Sequence, residues 1–496
     1  MSLISINNLT FGYEGSLENV FENVSFNIDT EWKLGLIGRN GKGKTTFLKL
    51  LLDQYDYIGK ISKTVEFDYF PFEVKNKERM AIDIANEIVP NVEDWEFIKE
   101  LNLLNANPEI LYRNFNLLSS GEQVKILLVS LFLKENNFLL IDEPTNHLDI
   151  ETRENLVEYL QKKKSFILVS HDRKFLDKVV DHIISINNTN IDIQKGNFSS
   201  WQENKDKQDN FELMQNEKIV KDINRLEIAS QNISNWSNKV EKSKYKTNDT
   251  EAMIDRGYVG HQSSKMMKKS KVIEKRIEKS IEQKSILLNN IDRNDTLKII
   301  PLETKKNSLI IADDFQIKYD NKAIFEKITF EIKNGDRIAI VGKNGIGKSS
   351  ILKLIIGYKI QYEGEFKIQN DLKMSYVSQC TENLNGNLRE FARKNAINEG
   401  IFKAMLSKMG FSTIDFEKDI QGMSEGQKKK VLLAKSVSEQ ANIYIWDEPL
   451  NYIDILTRIQ IEEVLLKYHP TLVFVEHDET FIGNVATKIL KLKELN

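Results

Sequence analysis

The sequence predicts an α/β protein built from two tandem copies of one domain, joined by an α-helical hairpin linker. Three observations carry that prediction. A glycine-rich loop, Gly38-Arg39-Asn40-Gly41-Lys42-Gly43-Lys44-Thr45, recurs as Gly342-Lys343-Asn344-Gly345-Ile346-Gly347-Lys348-Ser349, and both fit G-x-x-x-x-G-K-[ST]. The motifs downstream keep register between copies: 342 − 38 = 304 for the loop, 424 − 119 = 305 for a serine motif, 448 − 143 = 305 for a glutamate and 477 − 171 = 306 for a histidine. Between the copies lies a stretch rich in Lys, Glu, Asn and Ser, without proline from 201 until Pro301.

Each copy opens with a β-rich run, 21–28 in the first and 324–332 in the second. A short apolar strand, 33–37 or 337–341, feeds the glycine-rich loop, and 45–50 or 349–355 then has helical apolar spacing. Further strands are expected at 138–141 and 166–169, and at 443–446 and 472–475. Strands alternating with helices indicate a sheet whose centre is parallel. In the connecting stretch Ile219, Leu226, Ile233 and Val240 fall seven apart, with Ile223 between, which is a helix-pairing seam. Ile273, Ile277, Ile281 and Leu288 mark a return stripe, and 245–260 (YKTNDTEAMIDRGYVG) breaks the pattern. The expected layout is 1–200 for the first domain, 201–300 for the hairpin with its loop tip near 245–260, and 301–496 for the second domain. A helix of about 30 residues would reach about 45 Å.

Composition narrows the classes. The chain has 496 residues, 41% of them apolar, enough to fill two ordinary cores. A net charge of −3 excludes a uniformly basic coat, so any nucleic-acid contact is local. The single cysteine, Cys380, excludes a disulfide scaffold or a Cys-based metal site and suits a reducing, cytoplasmic setting. Residues 1–5 lack the pattern of a signal peptide, and no run approaches the roughly 18 apolar residues of a membrane span.

The motifs carry phosphate chemistry. Glycines in each loop let backbone N–H groups turn toward phosphate oxygens at a helix N-terminus. Gly38, Asn40, Gly41 and Gly43, and Gly342, Asn344, Gly345 and Gly347, would form the two cradles. Lys44 and Lys348 would reach the β- and γ-phosphates, the Thr45 and Ser349 hydroxyls would ligate Mg²⁺, and Thr46 and Ser350 complete each loop. Two apolar strands end in Asp142-Glu143 and Asp447-Glu448: the aspartates suit a water-mediated Mg²⁺ contact, the glutamates polarisation of an attacking water. His171 and His477 follow the next strands and suit γ-phosphate sensing in catalysis. Tyr13 and Tyr319, 319 − 13 = 306 apart, are placed to stack on adenine.

This series resembles the ATP-binding cassette superfamily. Leu118-Ser119-Ser120-Gly121-Glu122-Gln123 and Met423-Ser424-Glu425-Gly426-Gln427 look like its signature motif. The resemblance implies that ATP is sandwiched between one cassette's phosphate loop and the other's signature, pairing Lys44 with Ser424 and Lys348 with Ser119. The signature residues Ser119, Gly121 and Gln123, and Ser424, Gly426 and Gln427, would then touch nucleotide, and Gln379 in Ser378-Gln379 would reach Mg²⁺.

Two fused cassettes, a helical linker and no membrane segment resemble the ABC-F subfamily. Within it the chain resembles the antibiotic-resistance group, the Lsa-type ribosomal protection proteins, through 32–41, Ser119 to Gln123, 141–149 (IDEPTNHLD) and 444–454 (YIWDEPLNYID). The loop-to-signature spacings, 119 − 38 = 81 and 424 − 342 = 82, leave little room for the arm that housekeeping members insert in the first cassette. The resemblance implies a cytoplasmic ATPase, a monomer with intramolecular cassette pairing, working with ATP and Mg²⁺. Its partner would be the bacterial 70S ribosome, contacting rRNA and tRNA near the exit site and the peptidyl-transferase centre. It would release lincosamides, streptogramin A compounds and pleuromutilins. Lys265, Lys268, Lys269, Lys271, Lys275, Arg276 and Lys279 would face phosphates, and the tip around Met253, Ile254, Asp255 and Tyr258 would approach the drug site. The alternatives are the ATPase subunit of a drug exporter and a housekeeping ABC-F translation factor.

The sequence departs from that family pattern in places. Ser120 and Glu425 replace signature glycines, and Glu122 takes a glutamine's place. Phe72 stands where the first copy would carry the counterpart of Gln379, and Leu450 and Tyr452 replace the equivalents of Thr145 and His147. Unequal catalysis at the two sites is the expectation.

Overall fold

The computed structural model describes residues 3–14, 19–145, 148, 150–187, 190–243, part of 265–280, 297–302, 304, 307–319, 322–343, 345–382 and 384–495. The chain forms two compact units, one made of 1–201 with 295–496 and one of 202–294.

In the first unit, each half is built on a mainly parallel sheet. The first half's strand order is Glu66–Phe70, Asn137–Asp142, Phe166–Val169, Lys33–Gly38, His182–Asn187 and Asn190–Lys195, antiparallel only at the last pair. The second half repeats it as Met374–Val377, Ile443–Asp447, Leu472–Val475, Arg337–Val341 and Lys488–Lys491. Buried apolar side chains alternate along these strands and fill both faces of the sheet. Leu139, Ile141 and Leu168 join one core, while Phe138, Leu140 and Ile167 join the other. An antiparallel sheet covers one face of each half: Phe21–Asp29, Leu3–Phe11 and Ile58–Ser62 in the first, with Ser308–Tyr319 at the centre of its counterpart. The two halves share a core boundary. Ile455, from the second half, is buried in the first half's core, and Leu456 and Ile459 pack against it.

The expected strands and loop helices form, with one correction. The run 324–332 becomes a strand only from Ile328, as Ile328–Lys333. Its first residues are apolar because they are covered, not because they pair in that strand: Phe325 is fully buried, and a Cβ on Gly347 would lie 2.3 Å from Ile324 Cδ1.

The connecting helix is longer than expected. It spans Phe198–Ser243, 46 residues, which at about 1.5 Å per residue is about 69 Å. Phe198 and Trp201 bury its first turn in the first half's core. Further along, Ile219, Ile223 and Leu226 are half-buried among exposed neighbours, as a pairing seam requires. On the return side the described positions between 265 and 280 are helical. Ile277 is buried there but Ile273 is exposed, so the expected return stripe does not include Ile273. Lys265, Lys268, Lys271, Lys275, Arg276 and Lys279 are exposed. Outside the described residues lie the 245–260 loop with Met253, Ile254, Asp255 and Tyr258, and also Lys269, Ile281 and Leu288. Nothing is described of the Ile233 and Val240 side chains. Among the described residues no helix is long and apolar enough to cross a membrane.

Candidate active sites

The strand order explains why the sequence motifs converge. In the first half the strand ending at Val169 lies between the strand ending at Gly38 and the one ending at Asp142. Their carboxyl ends therefore deliver the glycine-rich loop, Glu143 and His171 to one place, where parallel sheets receive ligands. At Gly43 the loop takes φ +96°, and a Cβ there would meet Val20 Cγ1 at 2.6 Å. Glycine lets the helix Lys44–Leu51 start at that point.

Lys44 Nζ donates to the Gly38 carbonyl at 2.8 Å and to Asn40 Oδ1 at 3.1 Å. Thr45 Oγ1 and the Tyr69 hydroxyl donate to the same oxygen of Asp142, at 3.2 and 2.9 Å. The Tyr13 hydroxyl is 2.6 Å from Thr46 Oγ1 and its ring stays exposed. His171 Nε2 lies 3.2 Å from Glu143 Oε1, yet neither Glu143 oxygen makes a hydrogen bond among the described residues. Burial, helped by the Asp142 charge, pushes Glu143 up to about 8. Burial also drives His171 well below its ordinary value, reinforced by the Lys44 and Arg458 charges.

The second site repeats the frame with different wiring. Lys348 Nζ donates to the carbonyls of Gly342 (2.8 Å) and Lys343 (3.0 Å), and Ser349 Oγ donates to Asp447 Oδ1 at 2.9 Å. The Tyr319 hydroxyl is 2.9 Å from Ser350 Oγ. Here the glutamate is fully partnered. Gln379 Nε2 and Asn451 Nδ2 each donate to Glu448 Oε2 at 2.8 Å, and His477 Nε2 is 3.4 Å from Oε1. Burial opposes ionisation of Glu448, but the His477 contact, the Gln379 hydrogen bond and the Lys348 charge outweigh it and hold the carboxyl at about 2. The first half has Phe72 in place of Gln379, and Phe72 packs against the core instead of bonding Glu143. Asn344, Asn146, His147 and Asp149 lie outside the described residues.

Both signature serines cap helices. Ser119 opens Ser120–Phe132 in a capping box with Glu122, and Ser424 opens Glu425–Ser438 with Gln427. The side chains of Gln123 and Gln427 turn back into their own halves: Gln123 Nε2 donates to the Phe115 and Leu118 carbonyls, and Gln427 Nε2 to Asp415.

One phosphate loop meets the opposite signature directly. Asn40 Nδ2 donates to the Tyr452 carbonyl at 2.6 Å, and its backbone N–H to Asp454 Oδ2 at 3.2 Å. A Cβ on Gly426 would fall 2.7 Å from Asn40 Nδ2 and 2.6 Å from the Tyr452 carbonyl oxygen. The first loop and the second signature are thus in contact. Asp454 is itself held by Lys430 at 2.6 Å. Sequence reasoning did not single out Tyr69, Asp454, Lys429 or Glu476. At the repeat offset Asp454 matches Asp149 (454 − 149 = 305) and Tyr69 matches Tyr376 (376 − 69 = 307), whereas Lys429 and Glu476 face Val124 (429 − 124 = 305) and Ser170 (476 − 170 = 306).

The sequence profile of the ABC transporter family matches residues 21–146 and 325–451, which include both phosphate loops, both signatures and both Asp-Glu pairs. The chain belongs to the ATP-binding cassette family. It falls in the family's F branch, with two cassettes in one chain. It is 29% identical to the ATP-binding protein Uup of Buchnera aphidicola, over 98% of this chain and 80% of that protein. To the ribosome protection protein VmlR of Bacillus subtilis it is 26% identical, over 98% of this chain and 86% of that one. In structure it is similar to an archaeal ribosome recycling factor, aABCE1, solved with the ribosomal stalk protein aP1. The TM-score is 0.60 at 18% identity, covering 98% of this chain and 88% of that one. Cassettes of this family bind ATP with Mg²⁺, and two of them imply an ATPase.

Proposed function

We propose that this protein is a ribosome-directed ATPase whose two cassettes close on two ATP molecules. The contact of Asn40 with the Gly426–Tyr452 region carries the reading, because a composite site requires a phosphate loop to face the opposite signature. The residues fit nucleotide: a left-handed glycine opens the loop helix, and a buried glutamate stands 3.2 Å from His171. Lys44 and Lys348 bind phosphate, and Glu143 and Glu448 act as the bases. His171 and His477 orient them, and Tyr13 and Tyr319 take adenine. Thr45, Ser349, Asp142, Asp447 and Gln379 would hold Mg²⁺, which supplies charge neutralisation at the phosphates. Residues 1–200 and 301–496 act as the cassettes and 201–300 as the linker.

Similarity to the ribosome protection protein VmlR supports the ribosome as partner. The broader form of the proposal is a housekeeping translation factor of the F family, which the chain's match to F-branch relatives over 98% of its length supports. The sharper form is release of lincosamides, streptogramin A compounds and pleuromutilins from the peptidyl-transferase centre, which similarity to VmlR favours.

A membrane-free bacterial translation reaction separates them. Rescue of lincomycin- or tiamulin-inhibited synthesis, dependent on ATP and lost on shortening 245–260, establishes the sharper form. Ribosome binding with active hydrolysis but no rescue leaves the translation factor. Hydrolysis without ribosome binding overturns both and favours an exporter's motor subunit.

A further inference from the structure

The two sites differ at two buried positions, Lys429 and Glu476 in the second where Val124 and Ser170 stand in the first. Lys429 lies on the helix Glu425–Ser438, just after the signature, with 2% of its surface exposed. Its Nζ donates to two backbone carbonyls, Ser378 at 3.0 Å and Glu448 at 3.1 Å. Ser378 immediately precedes Gln379, whose amide holds the Glu448 carboxylate. One ammonium therefore ties the backbone of the glutamate to the backbone of the residue beside its hydrogen-bond donor.

Glu476 works from the other side. It is 4% exposed, and its Oε1 accepts the Leu450 N–H at 2.7 Å while Oε2 accepts the His477 N–H at 3.2 Å. Glu448 sits between these anchors at φ 47°, a left-handed conformation that a non-glycine residue keeps only when its surroundings fix it. Burial lowers Lys429, which the Glu476 charge partly offsets, and pushes Glu476 up to about 7, so what each side chain fixes is set by its hydrogen bonds to the backbone. In the first cassette Val124 and Ser170 stand at these positions. There Ser170 makes a neutral contact with Thr145, 3.2 Å between hydroxyl oxygens. Glu143 adopts the same left-handed turn, φ 51°, without an ammonium on its carbonyl from that position.

We infer that Lys429 and Glu476 are positioning residues for hydrolysis at the second ATP site, a buried brace that fixes Glu448 relative to Gln379 and His477, at positions held by Val124 and Ser170 in the first site. This rests on the ATPase reading above. Both side chains are buried and spent on backbone groups, so removing the brace should lower kcat and leave KM for ATP unchanged. Misplacing a base by a fraction of an ångström costs on the order of tenfold in rate.

The test uses full-length protein and the neutral pair Lys429→Met with Glu476→Gln, which removes both charges at similar volume. It is placed in a Glu143→Gln background, where only the second site turns over, and in a Glu448→Gln background, where only the first does. The expected result is a roughly tenfold loss of kcat, with KM and melting temperature held, in the Glu143→Gln background alone. Hydrogen–deuterium exchange should quicken at 446–452 and not at 141–145, a readout independent of turnover. Equal loss in both backgrounds, no loss in either, or unchanged exchange at 446–452 overturns the inference. A wild-type protein that binds ribosomes but never hydrolyses ATP overturns the ATPase reading itself, a result distinct from these.

Discussion

Asn40, in the first phosphate loop, donates its side-chain amide to the backbone carbonyl of Tyr452 in the other cassette, 2.6 Å away. Its Oδ1 at the same time accepts from Lys44 Nζ, so one side chain links the phosphate-binding lysine to the opposite cassette. The contact leaves no room at Gly426, whose Cβ position lies 2.6 Å from that carbonyl. Gly121, at the equivalent signature position, has Thr152 Cγ2 as its nearest neighbour, at 3.3 Å. Gly426→Ala should therefore cut ATPase activity severely, and Gly121→Ala only mildly. Asn40→Ala loses a bond worth about 1 kcal/mol and should lower activity by about fivefold. Steady-state phosphate release from the three variants checks the order; a Gly121→Ala protein as impaired as Gly426→Ala contradicts it.

Hydrolysis at the two sites should respond differently to pH. A general base must be ionised. With its pKa near 8, Glu143 is largely protonated at pH 7, and its active fraction climbs as pH rises through 8. Glu448, held near 2, is ionised throughout the neutral range. The Glu448→Gln protein, relying on the first site, should show rates rising from pH 6.5 to 8.5, and the Glu143→Gln protein a flat profile on that limb. Identical profiles would remove the electrostatic distinction between the sites.

The same shifts predict opposite stability effects. Glu143 has its folded pKa raised from 4.5, so above the unfolded value its ionisation works against folding, increasingly as pH climbs toward 8. Glu448 has its folded pKa depressed from 4.5, so it contributes stability above about 4.5 that is lost as pH falls through about 2. At pH 8, Glu143→Gln should raise the melting temperature and Glu448→Gln should lower it. Calorimetry on the two single variants measures both signs.

Much of this was legible in the chain because the repeated motifs sit at strand ends, where residue type and backbone conformation are jointly constrained. The strand at Phe166–Val169 and the histidine after it follow from an apolar run and a single polar residue. Ile324 misled for the opposite reason: periodicity registers burial, and burial there comes from packing at Gly347, not from the strand that follows. The partners of Asn40 were beyond the reach of pattern, since a backbone carbonyl 452 − 40 = 412 residues away leaves no trace in side-chain chemistry. Lys429 was hidden within Lys428-Lys429-Lys430, a basic run that reads as a solvated helix face. Lys429 and Lys430 are in fact buried, each with its ammonium on backbone carbonyls or a carboxylate.

A buried ion pair across the cassettes gives the last prediction. Arg173 Nη2 lies 2.6 Å from Glu462 Oε2, with 9% and 10% of the two side chains exposed. Glu462 also accepts from Asn484 Nδ2 at 2.5 Å, so its second oxygen is satisfied within its own cassette. At the repeat offset Arg173 faces Glu479 (479 − 173 = 306) and Glu462 faces Val157 (462 − 157 = 305), so the pair occurs on one side of the pseudo-symmetric interface only. Removing one partner strands a buried charge. Arg173→Met or Glu462→Leu alone should cost about 3–5 kcal/mol, whereas the double variant should recover most of that, because a desolvated pair is close in energy to a packed apolar one. A double-mutant cycle on urea unfolding measures the coupling. Additive single effects, with no recovery in the double variant, would mean that the two charges are stabilised by their own cassettes and not by each other.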